Sequence, residues 1–391
     1  MSTDPLYDLK EPTHWAEAPS TYSFSTLQSL RACPRRWQLV RSAWGPHKRF
    51  PERPQPAAIE GQIVHEALDL LARELGRRGR PAIASAAFRE AVERCRFWSF
   101  FGARIEDWNR RLASHPRAGP RYVLRTEPRA LANQSVRLFR EHYRAGTGES
   151  LSARAAELLG PEGCSGSSLV ALLQRQGTLS EVRLEHPLLP VVGVLDLVAL
   201  ERDGSLTVVD FKTGARKHSH EEQVLLYALL WWRSTGLKPA KAQLQYLDSN
   251  WVAVPDEADL VTAEQSVTEA IERAIAALSE RPARANPSRD CVWCPVRARC
   301  NDGWALVDRG SNALRASSGV DIELVVSSEP SPTGFLAKSC YGNELPVAFD
   351  AAVGCSLPPV NIGDRFRVVD ASFSAERKEI ALLPWTEMYR V

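Results

Sequence analysis

Gly193-Val194-Leu195-Asp196 and Val209-Asp210-Phe211-Lys212-Thr213-Gly214, joined through the turn sequence Arg202-Asp203-Gly204, carry the reading of this chain. Branched apolar residues crowd both flanks, from Val191 to Leu200 and from Leu206 to Phe211, as paired and buried strands require. A three-residue loop ending in glycine suits a hairpin, because Gly204 can take the positive φ of a bulged type I turn. That loop sets Glu201 opposite Ser205. Counting outward then sets Asp196 opposite Asp210, with their Cβ atoms about 4.5–5.5 Å apart if both share a face. Side chains alternate along a strand, so Lys212 joins Asp210 while Phe211 points away. Two carboxylates so placed in a Val-rich hairpin repel each other, and burying both ionised is costly. A hard cation resolves the conflict: carboxylates, a backbone carbonyl and water suit Mg²⁺ or Mn²⁺. Lys212 is then placed to stabilise charge developing on a phosphate. An isolated Asp-x-Lys also fits a plain solvent-facing ion pair, so the surroundings matter.

Downstream, His220 to Arg233 reads as an almost uniformly apolar helix on which Gln223 and Tyr227, four apart, put two polar groups on one face. Upstream, Gly61 and His65-Glu66 lie on a helix from about Glu60 to Leu75, beside the stripe Val64, Leu68, Leu71 and Leu75. His65 reads either as a satisfied core histidine or as the imidazole that completes a divalent-metal set with Asp196 and Asp210. Ala240 to Val254 returns to strand and Ala263 to Ser279 to helix, which gives a mixed α/β core.

The 391 residues are 44% apolar, enough for a real core, and show no span able to cross a membrane, so a cytoplasmic protein is expected. The formal charge is only +2, but it is unevenly spread. From Arg73 to Arg140 there are arginines and no lysines, with few acids between them, a basic surplus that attracts phosphate. The expected organisation is a polar tail over 1–19, a main domain over 20–310 with the Arg-rich helical region at about 73–145, and a small β-barrel over 311–391. In the main domain Ser25 to Gln28 reads as the capping box of a first helix that Pro34 limits. In the barrel, short strands separated by Gly, Pro and Ser suggest an OB-like fold, with Phe335, Tyr341, Phe349, Phe366, Phe373 and Trp385 either in its core or available for stacking. No phosphate loop of the Gly-Lys-Ser/Thr type occurs. Cys291-x-x-Cys294 and Cys300 crowd together, and Cys33, also followed by proline in the manner of Cys294, is the candidate fourth thiol of a zinc or iron-sulfur site. Cys95, Cys164, Cys340 and Cys355 have no such grouping and read as core thiols.

Gly61-x-x-x-His65-Glu66, Gly193-x-x-Asp196, Asp210-Phe211-Lys212-Thr213-Gly214 and Gln223-x-x-x-Tyr227, in that order, resemble the RecB-type branch of the PD-(D/E)XK nuclease superfamily over roughly residues 20 to 300. The resemblance implies a restriction-endonuclease-like core with a mixed central sheet and a large helical insertion. It implies that His65, Asp196, Asp210 and the Phe211 carbonyl hold Mg²⁺ or Mn²⁺, that Lys212 is the catalytic lysine, and that Gln223 and Tyr227 position DNA and the active site. The early Cys-Pro and late C-x₂-C-x₅-C resemble the iron-sulfur subset, including AddB-type subunits and CRISPR-associated exonucleases, and so imply a [4Fe-4S] cluster on Cys33, Cys291, Cys294 and Cys300 rather than Zn²⁺. The expected activity is a DNase acting at single-stranded regions or free ends, with Arg31, Arg35 and Arg36 holding the DNA backbone and a helicase or other repair or defence protein as partner. The alternative is a catalytically silent DNA-binding or assembly subunit. The intact set of His65, Asp196, Asp210 and Lys212 argues against it, since a silent relative need not keep so costly a pair.

Overall fold

A computed structural model describes residues 5–113, 115, 117, 123–142, 167–201, 203–212, 215–246, 249–310, 318–339, 342–349 and 359–391. Arg202, Thr213, Gly214, Tyr341, Cys164, Cys340 and Cys355 lie outside the described residues. Ser23, two residues before the expected cap, accepts from the Thr26 N–H and starts α1 (Phe24–Ala32). Cys33 ends that helix and caps the next, α2 (Pro34–Arg41), with Pro34 in its first turn. Three further helices follow as one block: α3 (Pro56–Arg77), α4 (Ala86–Arg94) and α5 (Phe97–Ala113). Among the described residues, α6 (Pro128–His142) and α7 (Ser167–Gln176) come next before the sheet.

The sheet begins as an antiparallel meander of β1 (Thr178–Glu185), β2 (Val192–Leu200) and β3 (Leu206–Phe211). Its hairpin has the register that the turn requires: Leu197 faces Val209, Leu200 faces Leu206, the Glu201 N–H donates to Ser205 O at 2.8 Å, and Gly204 has φ +80°. Crossover helix α8 (His218–Thr235) leads to β4 (Lys241–Gln245), parallel to β3, and β5 (Asn250–Ala253) forms the edge. The stretch expected as one strand over 240–254 is thus two. Helix α9 (Glu257–Ala277) packs on α8. Val198, Val208 and Leu195 face α8 and α9, whereas Leu197, Val209 and Phe211 face α3, α5 and α6. Helix α8 is apolar around most of its girth because it is enclosed between the sheet and α9, with Leu229, Leu230 and Trp231 fully buried. This mixed α/β arrangement is consistent with the restriction-endonuclease-like core expected.

After two short 3₁₀ turns and α10 (Asn301–Gly310), the remaining chain forms a closed barrel of β6 (Ser318–Val326), β7 (Gly334–Ser339), β8 (Glu344–Ala348), β9 (Arg365–Ser374) and β10 (Glu379–Ala381). Strands β8 and β10 pair in parallel, β9 joins both β6 and β10, and a sixth strand, β11 (Glu387–Arg390), adds to β9. The aromatics go mainly inward: Phe335 and Phe366 are buried, and Phe349 and Phe373 pack partly against the same core. They are therefore poorly placed for stacking on nucleic acid.

The first described residues are not a free polar tail. Leu6 is fully buried in a core that also contains Trp44, Phe50, Trp304, Val369 and Tyr389, joining α2, the cysteine region, α10 and the barrel strands β9 and β11. Arg299 fastens both ends of the chain, donating to the carbonyls of Leu6 (2.8 Å), Tyr7 (3.0 Å) and Arg390 (2.7 Å). Beneath lies a buried ion cluster. Glu387 accepts a bidentate pair from Arg117 (2.9 and 3.0 Å), a further bond from Arg53 (3.0 Å) and one from Tyr389 Oη (2.8 Å). Burial alone would raise the Glu387 pKa, but Arg117 and Arg53 outweigh it and pull the carboxyl from 4.5 to about 2.

Glu387→Gln leaves Arg117 buried without its counter-ion and should cost roughly 3–5 kcal/mol in urea melts at neutral pH. Because the folded value lies below the ordinary one, the wild-type contribution is complete above pH 4.5 and disappears as the pH falls to about 2. The stability gap between wild type and Glu387→Gln should therefore close over that acidic range; an unchanged gap would mean that Glu387 contributes no charge interaction.

Candidate active site

The hairpin delivers Asp196 and Asp210 to one place, and neighbouring elements close around them. Asp196 Oδ2 accepts from the Phe211 N–H at 2.7 Å, while its Oδ1 lies 3.3 Å from His65 Nδ1 on α3. Asp210 is 2% exposed, and its Oδ2 stands 2.6 Å from Lys212 Nζ but off the hydrogen-bonding direction, which leaves a buried oxygen without a properly aligned donor among the described residues. Lys212 Nζ donates to Gln223 Oε1 at 2.9 Å, and Gln223 Nε2 donates to Tyr227 Oη at 2.7 Å. The Lys212 N–H bonds Gln245 O at 2.8 Å, so β4 fixes the strand end that aims the lysine. Gly193 has a steric reason. A Cβ there would stand 2.7 Å from Leu230 Cδ1 and 3.0 Å from the Tyr227 ring, so glycine lets α8 seat Tyr227 against β2.

A group not singled out from the sequence is Glu181. The β1–β2 register, with Ser180 facing Leu197 and Val182 facing Leu195, sets it opposite Asp196. Ligating atoms of His65, Glu181 and Asp196 all lie within 4.8 Å of one another. Glu181 has φ +50°, a conformation that strains a non-glycine residue, and it is skipped in the pairing of β1 with β2. Its place in the sequence assigns Glu181 no role; the register against Asp196 is the signal that distinguishes it.

These groups perturb one another. Burial, followed by the charge of Asp196, pushes Asp210 up to about 7 against the pull of Lys212 and His65. Burial and Asp196 likewise raise Glu181 to about 6. For His65 burial favours the neutral ring, but Asp196 and then Asp210 prevail and lift it to about 9. Burial, with Asp210 behind it, keeps the Tyr227 hydroxyl protonated well above its usual range.

The three expected DNA-binding arginines part company. Arg35 ties α2 to the distal chain, donating to Ala283 O and Asp302 Oδ2 at 2.7 Å each, which is a structural role. Arg36 lines the cysteine cavity. Arg31 remains 69% exposed, 3.6 Å from Glu222. Within the Arg-rich region, Arg73 pairs with Asp69, Arg78 with Glu74 and Glu90, Arg104 with Glu66 and Asp107, and Arg117 with Glu387. Local acids therefore absorb much of the surplus charge.

Cys33, Cys291, Cys294 and Cys300 line one cavity of about 310 Å³. Backbone N–H groups point at three of the sulfurs: Arg36 and Asn286 at Cys33 (3.4 and 3.5 Å), Ser288 at Cys291 (3.4 Å) and Gly303 at Cys300 (3.4 Å). Burial raises the Cys294 thiol to about 11. Cys95 is half-buried elsewhere, against the Leu70 carbonyl.

A family model described as the PD-(D/E)XK nuclease superfamily matches residues 21–301. The chain belongs to this superfamily. Comparison with curated proteins gave no significant match. The PD-(D/E)XK match spans α1 to the start of α10 and so contains both carboxylates, Lys212, His65 and all four grouped cysteines. Membership implies a nuclease that hydrolyses phosphodiester bonds in nucleic acid with a divalent metal. The donor set fits such an ion: a buried Asp210 oxygen with Lys212 beside it but no aligned donor among the described residues, and an imidazole with two carboxylates converging from α3, β1 and β2. No helix among the described residues is long and apolar enough to cross a membrane.

The raised value of Asp210 means that metal-free protein is stabilised by protonation there, an advantage present below pH 3.8 and lost as the pH rises through about 7. Asp210→Asn avoids burying the charge. Above that range in EDTA it should unfold later than wild type, by roughly 1–2 kcal/mol. A lower melting temperature would show that the Asp210–Lys212 pair stabilises the fold outright.

Proposed function

We propose that this chain is a DNA nuclease of the RecB-type branch, cleaving at single-stranded regions or free ends, with His65, Asp196, Asp210 and the Phe211 carbonyl holding Mg²⁺ or Mn²⁺. The observation that carries the reading is the continuous set from His65 through Asp196 and Asp210 to Lys212, Gln223 and Tyr227, drawn from four separate elements. A bound divalent ion supplies Lewis acidity, polarising a phosphoryl oxygen and lowering the pKa of water. The chain supplies the rest. Lys212, held by Gln223, presents a fixed ammonium to the negative charge that grows on the phosphate, where a prepaid orientation counts most. Tyr227 keeps its proton and holds Gln223, so the lysine does not swing away. Glu181, opposite Asp196, adds a third carboxylate toward the ion. Arg31, at the exposed end of α1, is the arginine of its trio best placed to meet a DNA backbone.

The four cysteines are proposed to hold a [4Fe-4S] cluster. Supporting this, the sulfurs surround a cavity and receive N–H bonds of the kind that tune cluster thiolates. The closed strand path β6-β7-β8-β10-β9 supports an OB-like reading of the barrel.

With Mn²⁺, wild-type protein should degrade labelled single-stranded DNA, and Asp210→Ala or Lys212→Ala should lower the rate at least about a hundredfold, the scale of losing a main electrostatic group. Equal digestion by wild type and both variants rules the site out, and no digestion by wild type favours the silent-subunit reading. Separately, anaerobically purified protein should be brown, and Cys33→Ala should lose that colour together with thermal stability, since the cluster ties residues 33 and 300 into one unit. Colourless protein containing stoichiometric zinc would replace the cluster with a zinc site.

A further inference from the structure

Beside the carboxylates, a cavity that opens to solvent runs from His65, Glu181 and Asp196 between α3 and the sheet. Its walls are apolar: Leu68 and Ala72 of α3, Leu197 of β2, Phe211 of β3 and Phe139 of α6. Asp69, Arg80, Thr178 and Ser180 supply its polar edge, with Ser180 Oγ donating to Asp69 Oδ1 at 2.8 Å. Apart from Phe211, whose carbonyl was assigned to the metal ion, none of these wall residues takes part in the chemistry described above, and the cavity adjoins the carboxylates at which a phosphodiester must sit.

What enters is constrained by chemistry. A phosphodiester held at Asp196 and Asp210 carries a nucleoside on each side. Asp69 and Glu181 disfavour a second phosphate against the opposing charge of Arg80, and the apolar walls with their phenylalanine rings suit a flat, neutral heterocycle. Asp69 and Ser180 provide an acceptor and a hydroxyl for the N–H groups of a base edge. We propose that this cavity takes the nucleobase of the nucleotide next to the scissile phosphate. The inference rests on the nuclease reading and extends it. A base can reach the slot only after leaving its stack, which costs little at an unpaired nucleotide and more within a duplex. Preference for single strands and frayed ends then follows from the cavity rather than from the metal site.

The test uses the full chain and three probes. Wild-type protein with Mn²⁺ is given a labelled single strand carrying one abasic residue and the same strand unmodified; cleavage at the abasic nucleotide should slow about tenfold, the effect of one lost stacked base. Ala72→Phe fills the slot without touching the carboxylates. It should raise KM for the unmodified strand about tenfold and abolish discrimination between the two strands, with kcat on the abasic strand unchanged. Equal wild-type cleavage of both strands overturns the proposal while leaving the nuclease reading intact. Should Ala72→Phe fail to fold, the wild-type comparison decides by itself. If wild type cleaves neither strand, the nuclease reading fails, and binding in EDTA of a strand with one aminopurine base judges the cavity separately. Fluorescence quenching on binding supports the slot, and its absence overturns it.

Discussion

Two carboxylates placed opposite each other in a buried hairpin are the constraint on which the rest of this molecule turns. Asp196 and Asp210 are forced together by backbone pairing, and neither strand can slip without turning its apolar side chains to the wrong face. The fold cannot relieve the repulsion by moving them, so it surrounds them: Lys212 from the same strand, His65 from α3 and the Phe211 N–H across the hairpin. The raised values of Asp210 and Glu181 measure how incomplete that relief is without an ion. A site left under-compensated by its own protein is a site with appetite for a cation, and the instability that makes it costly to fold is the same free energy that favours binding.

Much of this was legible because local rules and long-range geometry agreed. The glycine of the turn fixed the loop length, the loop fixed the register, and alternation then placed Asp210 and Lys212 together. Gln223 and Tyr227 were visible as polar groups on a helix otherwise enclosed. Glu181 was not, because its role depends on a backbone irregularity that no periodicity reports. Arg35 looked like a phosphate contact and is instead a brace, since its partners Asp302 and Ala283 lie some 250 residues away in sequence. Leu6 and β11 were missed for a similar reason: short apolar segments near the two ends acquire a core only from each other and from Trp44 and Trp304.

That shared core changes how the barrel relates to the nuclease. The cysteine region touches both. Arg297, beside Cys294, pairs with buried Asp321 on β6, and Arg367 on β9 donates to Ala298 O at 3.0 Å and to Asn301 Oδ1 at 2.8 Å. Cys33 meanwhile sits between α1 and α2, receiving an N–H from Asn286. The thiols therefore occupy the seam at which the first helices, the distal loop and the barrel meet. A ligand held by them would hold that seam closed, and loosening it would release the barrel as well as the helix pair.

Charge distribution limits how nucleic acid can be gripped. The arginines of α3 to α5 are largely matched by neighbouring acids such as Asp69, Glu74 and Asp107. Many of those pairs are exposed and individually weak, so they can exchange an acid for a phosphate at little cost. The buried ones cannot: Arg117 is committed to Glu387, and giving it up would strand a charge in the interior. Binding through phosphate attraction alone would thus be modest and readily screened by salt. Specific placement of the substrate must come from contacts that salt does not weaken, at the carboxylates and in the apolar cavity beside them. There the net charge of the chain has no bearing on the outcome, and a protein near neutrality can hold a polyanion at the single bond it has to break.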